Sequence, residues 1–115
     1  MSRASVARAG LAGAAPVFAA LGDETRLQVV ARLCREGPLS IVDLSDGAHV
    51  TRQAITKHLR ALESAGLVRG EAPEGGRQRL WAIQSRRLRE ARLYLDRISA
   101  QWDGALVRLK RFVEE

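Results

Sequence analysis

The chain of 115 residues is expected to be mainly α-helical, with one small β-hairpin and a long C-terminal helix. Three observations point there. Aromatic residues make up 4% of a chain that is 46% hydrophobic, so the core must come from Leu, Val, Ile and Ala, which suits packed helices. Helix start and stop signals recur from Asp23 to Gly66, and the alternating stretches "LVRGEA" and "RQRLWAI" then flank the turn "PEGG". Last, apolar residues at heptad spacing run without a gap from Leu88 to Phe112.

The elements follow in order. Residues 1–14 are expected as a flexible tail. Arg3 and Arg8 ahead of "AGLAGAAPVFAALG" give it the outline of a signal peptide, but the run is rich in Ala and Gly and flows into a capped helix. Pro16 suits the first turn of a short helix from Pro16 to Leu21. Asp23 caps the second helix, on which Leu27, Val30, Ala31 and Cys34 fall at helical spacing as a buried face, and Gly37-Pro38 ends it. Ser40 with Asp43 three residues on forms a capping box for a short third helix, Ile41 to Ser45. Thr51 caps the fourth helix. Ile55, Leu59 and Leu62 share one face of it, and Gln53, Thr56, Lys57, Arg60 and Ser64 gather opposite. Gly66 ends that helix and the hairpin follows, with Trp81 packing it onto the helices. Ser85 caps the last helix, whose seam is Leu88, Ala91, Leu95, Ile98, Trp102, Ala105, Leu109 and Phe112. Asp103-Gly104 weakens helix propensity, but the register runs through it, so one helix is expected with any kink at that point. The domains are therefore 1–14, tail; 15–84, winged helix-turn-helix; and 85–115, dimerisation helix.

Charge adds a functional reading. The net charge is +6, and the segment from Arg52 to Arg89 holds nine bases against three acids, which alone accounts for the excess. A local positive surface calls for a polyanion. On a helix that enters the major groove, Gln53 can pair with adenine, Thr56 can touch a thymine methyl, and Arg52 or Lys57 can reach guanine or phosphate, with Arg60 on the same face. Thr51 leaves the helix N-terminus facing a phosphate. Arg77 and Arg79, near the hairpin tip, suit a narrow minor groove or its flanking phosphates.

Other classes find little support. No run is long enough to span a bilayer, so no membrane partner is expected. A single cysteine, Cys34, rules out an intramolecular disulfide and suits a reducing cytoplasm; it is expected in the core. One Cys and two His on separate elements do not make a transition-metal site, so neither metal nor cofactor is expected. His58 is expected to link its helix to the core, and His49 to be solvated or near phosphate. Trp102 is expected in the dimer seam. No phosphate loop, triad order or paired carboxylates suggest an enzyme.

The stretch "FAALGDETRLQVVARLCREGPLSIVDLSDGAHVTRQAITKHLRALESAGLVRG", followed by "GGRQRLWAI", resembles the ArsR/SmtB family of bacterial transcriptional repressors. The resemblance implies a homodimer joined through the first and last helices. It also implies a recognition helix over Thr51–Ser64, with Arg52, Gln53, Thr56 and Lys57 at DNA. Metal-sensing members place Cys-x-Cys where this chain reads "LSIVDL", or Asp and His on the last helix, where this chain has no His. The tail "WDGALVRLKRFVEE" is similar to a non-metal-sensing subgroup often encoded beside lipid-binding-fold (SRPBCC) proteins. The implied function is a dimeric, sequence-specific repressor on a near-palindromic double-stranded operator. Its release would be left to a small molecule, a partner protein or its own concentration. The alternative is a nucleoid-type protein that coats DNA without choosing sequence, or a protein-interaction module.

Overall fold

Side-chain caps decide where the central helices begin. The computed structural model describes residues 13–72, 75 and 78–114. A first helix, α1, covers residues 13–21. The second, α2 (Glu24–Glu36), starts where the Asp23 carboxylate accepts the Arg26 amide at 3.0 Å, and it stops at Gly37, whose φ of 85° few other residues adopt. A two-residue strand, β1 (Leu39–Ser40), leads into α3 (Ile41–Ser45), and the Ser40–Asp43 capping box is complete in both directions. Helix α4 (Arg52–Ser64) begins at Thr51, whose Oγ1 accepts the Ala54 amide at 3.1 Å. It ends in a Schellman turn: Gly66 at φ 77° donates to the Glu63 carbonyl and Leu67 to that of Leu62, both at 2.9 Å. Leu62 and Leu67, at the two ends of that turn, are fully buried.

Strands β2 (Val68–Glu71) and β3 (Leu80–Ile83) pair antiparallel, and β1 adds to the other edge of β3, giving the order β1-β3-β2. The core lies between the sheet and α2–α4, built on Val30, Leu33, Leu44, Ile55, Leu59, Leu62 and Trp81. Helix α5 (Ser85–Glu114) is unbroken for 30 residues through Asp103-Gly104. At 1.5 Å per residue it is about 45 Å long. Its length accounts for a radius of gyration of 18.6 Å and a longest dimension of 68 Å. A compact chain of this length would have a radius near 13 Å.

The structure departs from the sequence reading at four places. The third strand was not foreseen, because two residues are too few for alternation to show. α1 is already helical at Gly13, and Ala14 is buried, so the helix precedes Pro16; Gly13 lies beside Arg87 and Glu90 of α5, which gives its small residues something to pack on. On α2 the buried residues are Val29, Val30 and Leu33, whereas Leu27 is 51% exposed and Ala31 and Cys34 face outward. Apolar residues spread over roughly half of that helix, and the core takes the side about 100° round from the expected one. On α5, Ala91 is buried in the chain's own core with Leu88 packed beside it, so the first turns of the seam already have an intrachain role.

Candidate nucleic-acid interface

Burial of Ile55, Leu59 and Leu62 turns the opposite face of α4 to solvent. On it Arg52, Gln53, Lys57 and Arg60 are exposed, and none of their side chains hydrogen-bonds to another described residue. Their donors and acceptors are free for an external partner. Thr56 is different: its hydroxyl donates to the Arg52 carbonyl at 2.8 Å, so it can offer only its methyl group and oxygen lone pairs. Thr51, the cap, is exposed at the helix start.

Three basic side chains fasten α1, α2, α3 and α4 to one another, and the sequence reading missed two of them. Arg32 of α2 donates to the Asp43 carbonyl at 3.0 Å and to those of Leu44 and Asp46 at 3.4 Å, closing the C-terminal end of α3. Glu36 anchors Arg32 at 2.8 Å, which raises the arginine's pKa and lowers that of the carboxyl. Arg26 donates to the Ala20 carbonyl at 2.6 Å and lies 3.5 Å from His58 Nδ1, tying the end of α1 to α4. His58 thus links its helix to its neighbours, as expected, and sits 3.8 Å from Asp23. The hydrogen bond from the Arg26 amide, with His58 and the Arg26 guanidinium nearby, holds the Asp23 carboxyl below its ordinary range. A base at the centre of the buried side of α2 was the available signal for Arg26; nothing local marked Arg32.

The wing carries a built-in arginine. The Arg79 guanidinium lies 5.8 Å from the Trp81 ring centroid, and its stem crosses bare backbone at Gly70, where an added Cβ would come within 2.7 Å of Arg79 Cδ. Trp81 is buried, so this contact, with the stem lying on Gly70, holds the Arg79 side chain against the sheet while the residue as a whole stays exposed. Arg69 pairs with Glu71 at 2.8 Å on the adjacent strand. Arg77 lies outside the described residues.

Along α5 the seam beyond Ala91 is open: Leu95 is 49% exposed, Trp102 65%, Leu109 58% and Phe112 78%, with Ile98 half-buried. No three His, Cys, Asp or Glu side chains converge as a metal site among the described residues. Among the described residues no helix is long and apolar enough to cross a membrane.

A helix-turn-helix family model matches residues 21–71. The chain is 35% identical over 95 residues to the HTH-type transcriptional regulator Rv2034 of Mycobacterium tuberculosis, covering 83% of each. An ArsR-like transcriptional regulator from Rhodococcus sp. RHA1 superposes with a TM-score of 0.71 and 39% identity over 88% of this chain and 92% of that one. This chain belongs to the ArsR family. It is 30% identical over 96 residues to the transcriptional repressor SmtB of M. tuberculosis, covering 84% of this chain and 67% of that one. As an ArsR-family protein it is a DNA-binding transcriptional regulator on a winged helix-turn-helix scaffold, with α3 and α4 as the helix-turn-helix and β2–β3 as the wing.

Proposed function

We propose that this ArsR-family protein is a homodimeric, sequence-specific repressor that acts without a metal. The observation that carries the reading is the free polar face of α4. Arg52, Gln53, Lys57 and Arg60 project from a helix whose other side is locked into the core, and they have no intrachain partners among the described residues. Such a face fits the major groove, with Gln53 reading a base and Arg52, Lys57 and Arg60 reaching bases or phosphates. Thr51 would set the helix end against a phosphate and Arg79 would carry the wing to the minor groove, joined by Arg77.

The open seam on α5 supports the dimer. Leu95, Ile98, Trp102 and Leu109 need a partner surface, and a second copy supplies a matching one by two-fold symmetry. Leu88 and Ala91 would then brace the base of α5 against its own domain and border the interface. A two-fold dimer calls for a near-palindromic operator with half-sites about one helical turn apart. Here α3 reads "IVDLS", without a thiol, which favours a signal other than a metal ion. The expected setting is the cytoplasm, and no enzymatic role is assigned.

The test is footprinting on the DNA upstream of the protein's own gene, with scrambled competitor at two salt concentrations. A protected, symmetric site that survives competitor, with a specific-to-nonspecific ratio of about 10³ or more, is expected. Binding abolished by competitor would leave a DNA-coating protein.

A further inference from the structure

Where α4 ends and α5 begins, the chain forms an open cleft of about 550 Å³ walled by Arg69, Arg86, Arg87 and Arg89, with Gly66 and Ser85 also at its surface and no acidic residue in its lining. The four guanidinium groups are only partly compensated from outside. Glu90 forms an ion pair with Arg86 at 3.4 Å and accepts from Arg87 at 3.1 Å, and Arg69 pairs with Glu71, whereas Arg89 has no ion pair with a described residue. Like charges gathered round one concavity repel each other unless an anion sits among them. Arg86 and Arg87 also occupy the first turn of α5, which has no acidic residue, so they add positive charge where the helix is already positive. The floor is shaped for this arrangement. A Cβ at Gly66 would come within 2.9 Å of Arg87 Cγ, so the Arg87 stem lies directly on the backbone of the turn that closes α4.

The DNA-facing residues do not need this cleft. It opens at the C-terminal end of α4, and Thr51 marks the other end, about 20 Å away along the helix axis. We propose that the cleft binds a small phosphate-bearing anion. Guanidinium forks match phosphate oxygens in pairs, and a single di- or triphosphate group can engage arginines from both the wing base (Arg69) and α5 (Arg86, Arg89). The bound anion would cross-link the wing to the dimerisation helix and so couple the occupancy of the cleft to the setting of the wing.

Isothermal titration calorimetry of the whole protein with sodium pyrophosphate, at constant ionic strength, tests the assignment without any DNA. Saturable binding of one pyrophosphate per chain, with Kd below about 1 mM, is expected, and R86Q/R89Q should weaken it at least about ten-fold. The charge-matched variant R108Q/R111Q, far along α5, should bind as the parent does. Absence of saturable heat, or equal weakening in both variants, overturns the proposal. A DNA arm separates a free anion from a backbone phosphate. R86Q/R89Q without pyrophosphate should bind operator DNA with unchanged salt dependence. A salt slope reduced by about two would assign these arginines to DNA and overturn the small-anion site.

Discussion

Leu95→Glu tests the exposed seam of α5 most directly. Leu95 is 49% exposed in the single chain. Full burial of a leucine side chain is worth roughly 2–3 kcal/mol, so covering the exposed half contributes about 1–1.5 kcal/mol per protomer. Two-fold symmetry counts it twice, so the apolar loss alone is about 2–3 kcal/mol, a roughly 30- to 150-fold rise in the dimer dissociation constant. Two carboxylates left in an apolar seam add to that. Sedimentation equilibrium over a concentration series, with circular dichroism to show an intact helix content, reads the effect. The control is Leu93→Glu. Leu93 is 60% exposed but lies on the side of α5 away from the seam, so its dimer should be unaffected. An unchanged dimer in Leu95→Glu, or equal loss in both variants, would refute the seam as the interface.

Four further outcomes are expected. Gln53→Ala should relax preference at one operator position by about 1–3 kcal/mol, while Lys57→Ala should weaken all sequences alike and lower the salt slope by about one, both read by titration against a panel of single-base variants. Gly70→Ala puts a Cβ within 2.7 Å of Arg79 Cδ, so it should reduce DNA affinity about as much as Arg79→Ala does. An additive double variant, Gly70→Ala with Arg79→Ala, would show that the glycine acts elsewhere. Asp23 and Glu36 are held below their ordinary values, so the folded chain binds fewer protons than the unfolded one as the pH falls through the carboxylate range. Their contribution is present above about pH 5 and disappears below the folded-state values; Asp23→Asn should flatten the decline in melting temperature across that window.

Much of the scaffold was legible because local chemistry dictates it. Asp23, Ser40 and Thr51 cap the helices that their side chains predict, and Gly37 and Gly66 stop two of them in the left-handed conformation that glycine tolerates. The polar face of α4 was legible too, since one apolar stripe there leaves no choice of side. On α2 there was a choice: Leu27, Val29, Val30, Ala31, Leu33 and Cys34 offer two adjacent apolar faces, and only tertiary packing decides between them. That is why Cys34 was placed in the core and is found outside it. β1 was missed for a related reason, since its two residues become a strand only because Trp81 and Leu80 lie opposite. Arg32 acts on backbone carbonyls, which no side-chain pattern announces, and the one signal for Arg26, a base on the buried side of α2, depends on knowing which side that is.

The pairing of β1 with β3 has a consequence for how DNA can be fitted. Ser40 caps α3 and is also the strand residue opposite Leu80, so one residue ties the helix-turn-helix directly to the sheet that carries the wing. The two elements proposed to contact DNA are therefore joined at their roots, which limits how far the base of the wing can swing away from α3. On the proposed docking, a duplex contacted by both would have to present its major and minor grooves at a matching separation. Sequences that already have the right groove width bind at little cost, and stiffer ones must be deformed. On the proposed docking the short strand would work as a caliper, selecting DNA by shape at positions no side chain touches.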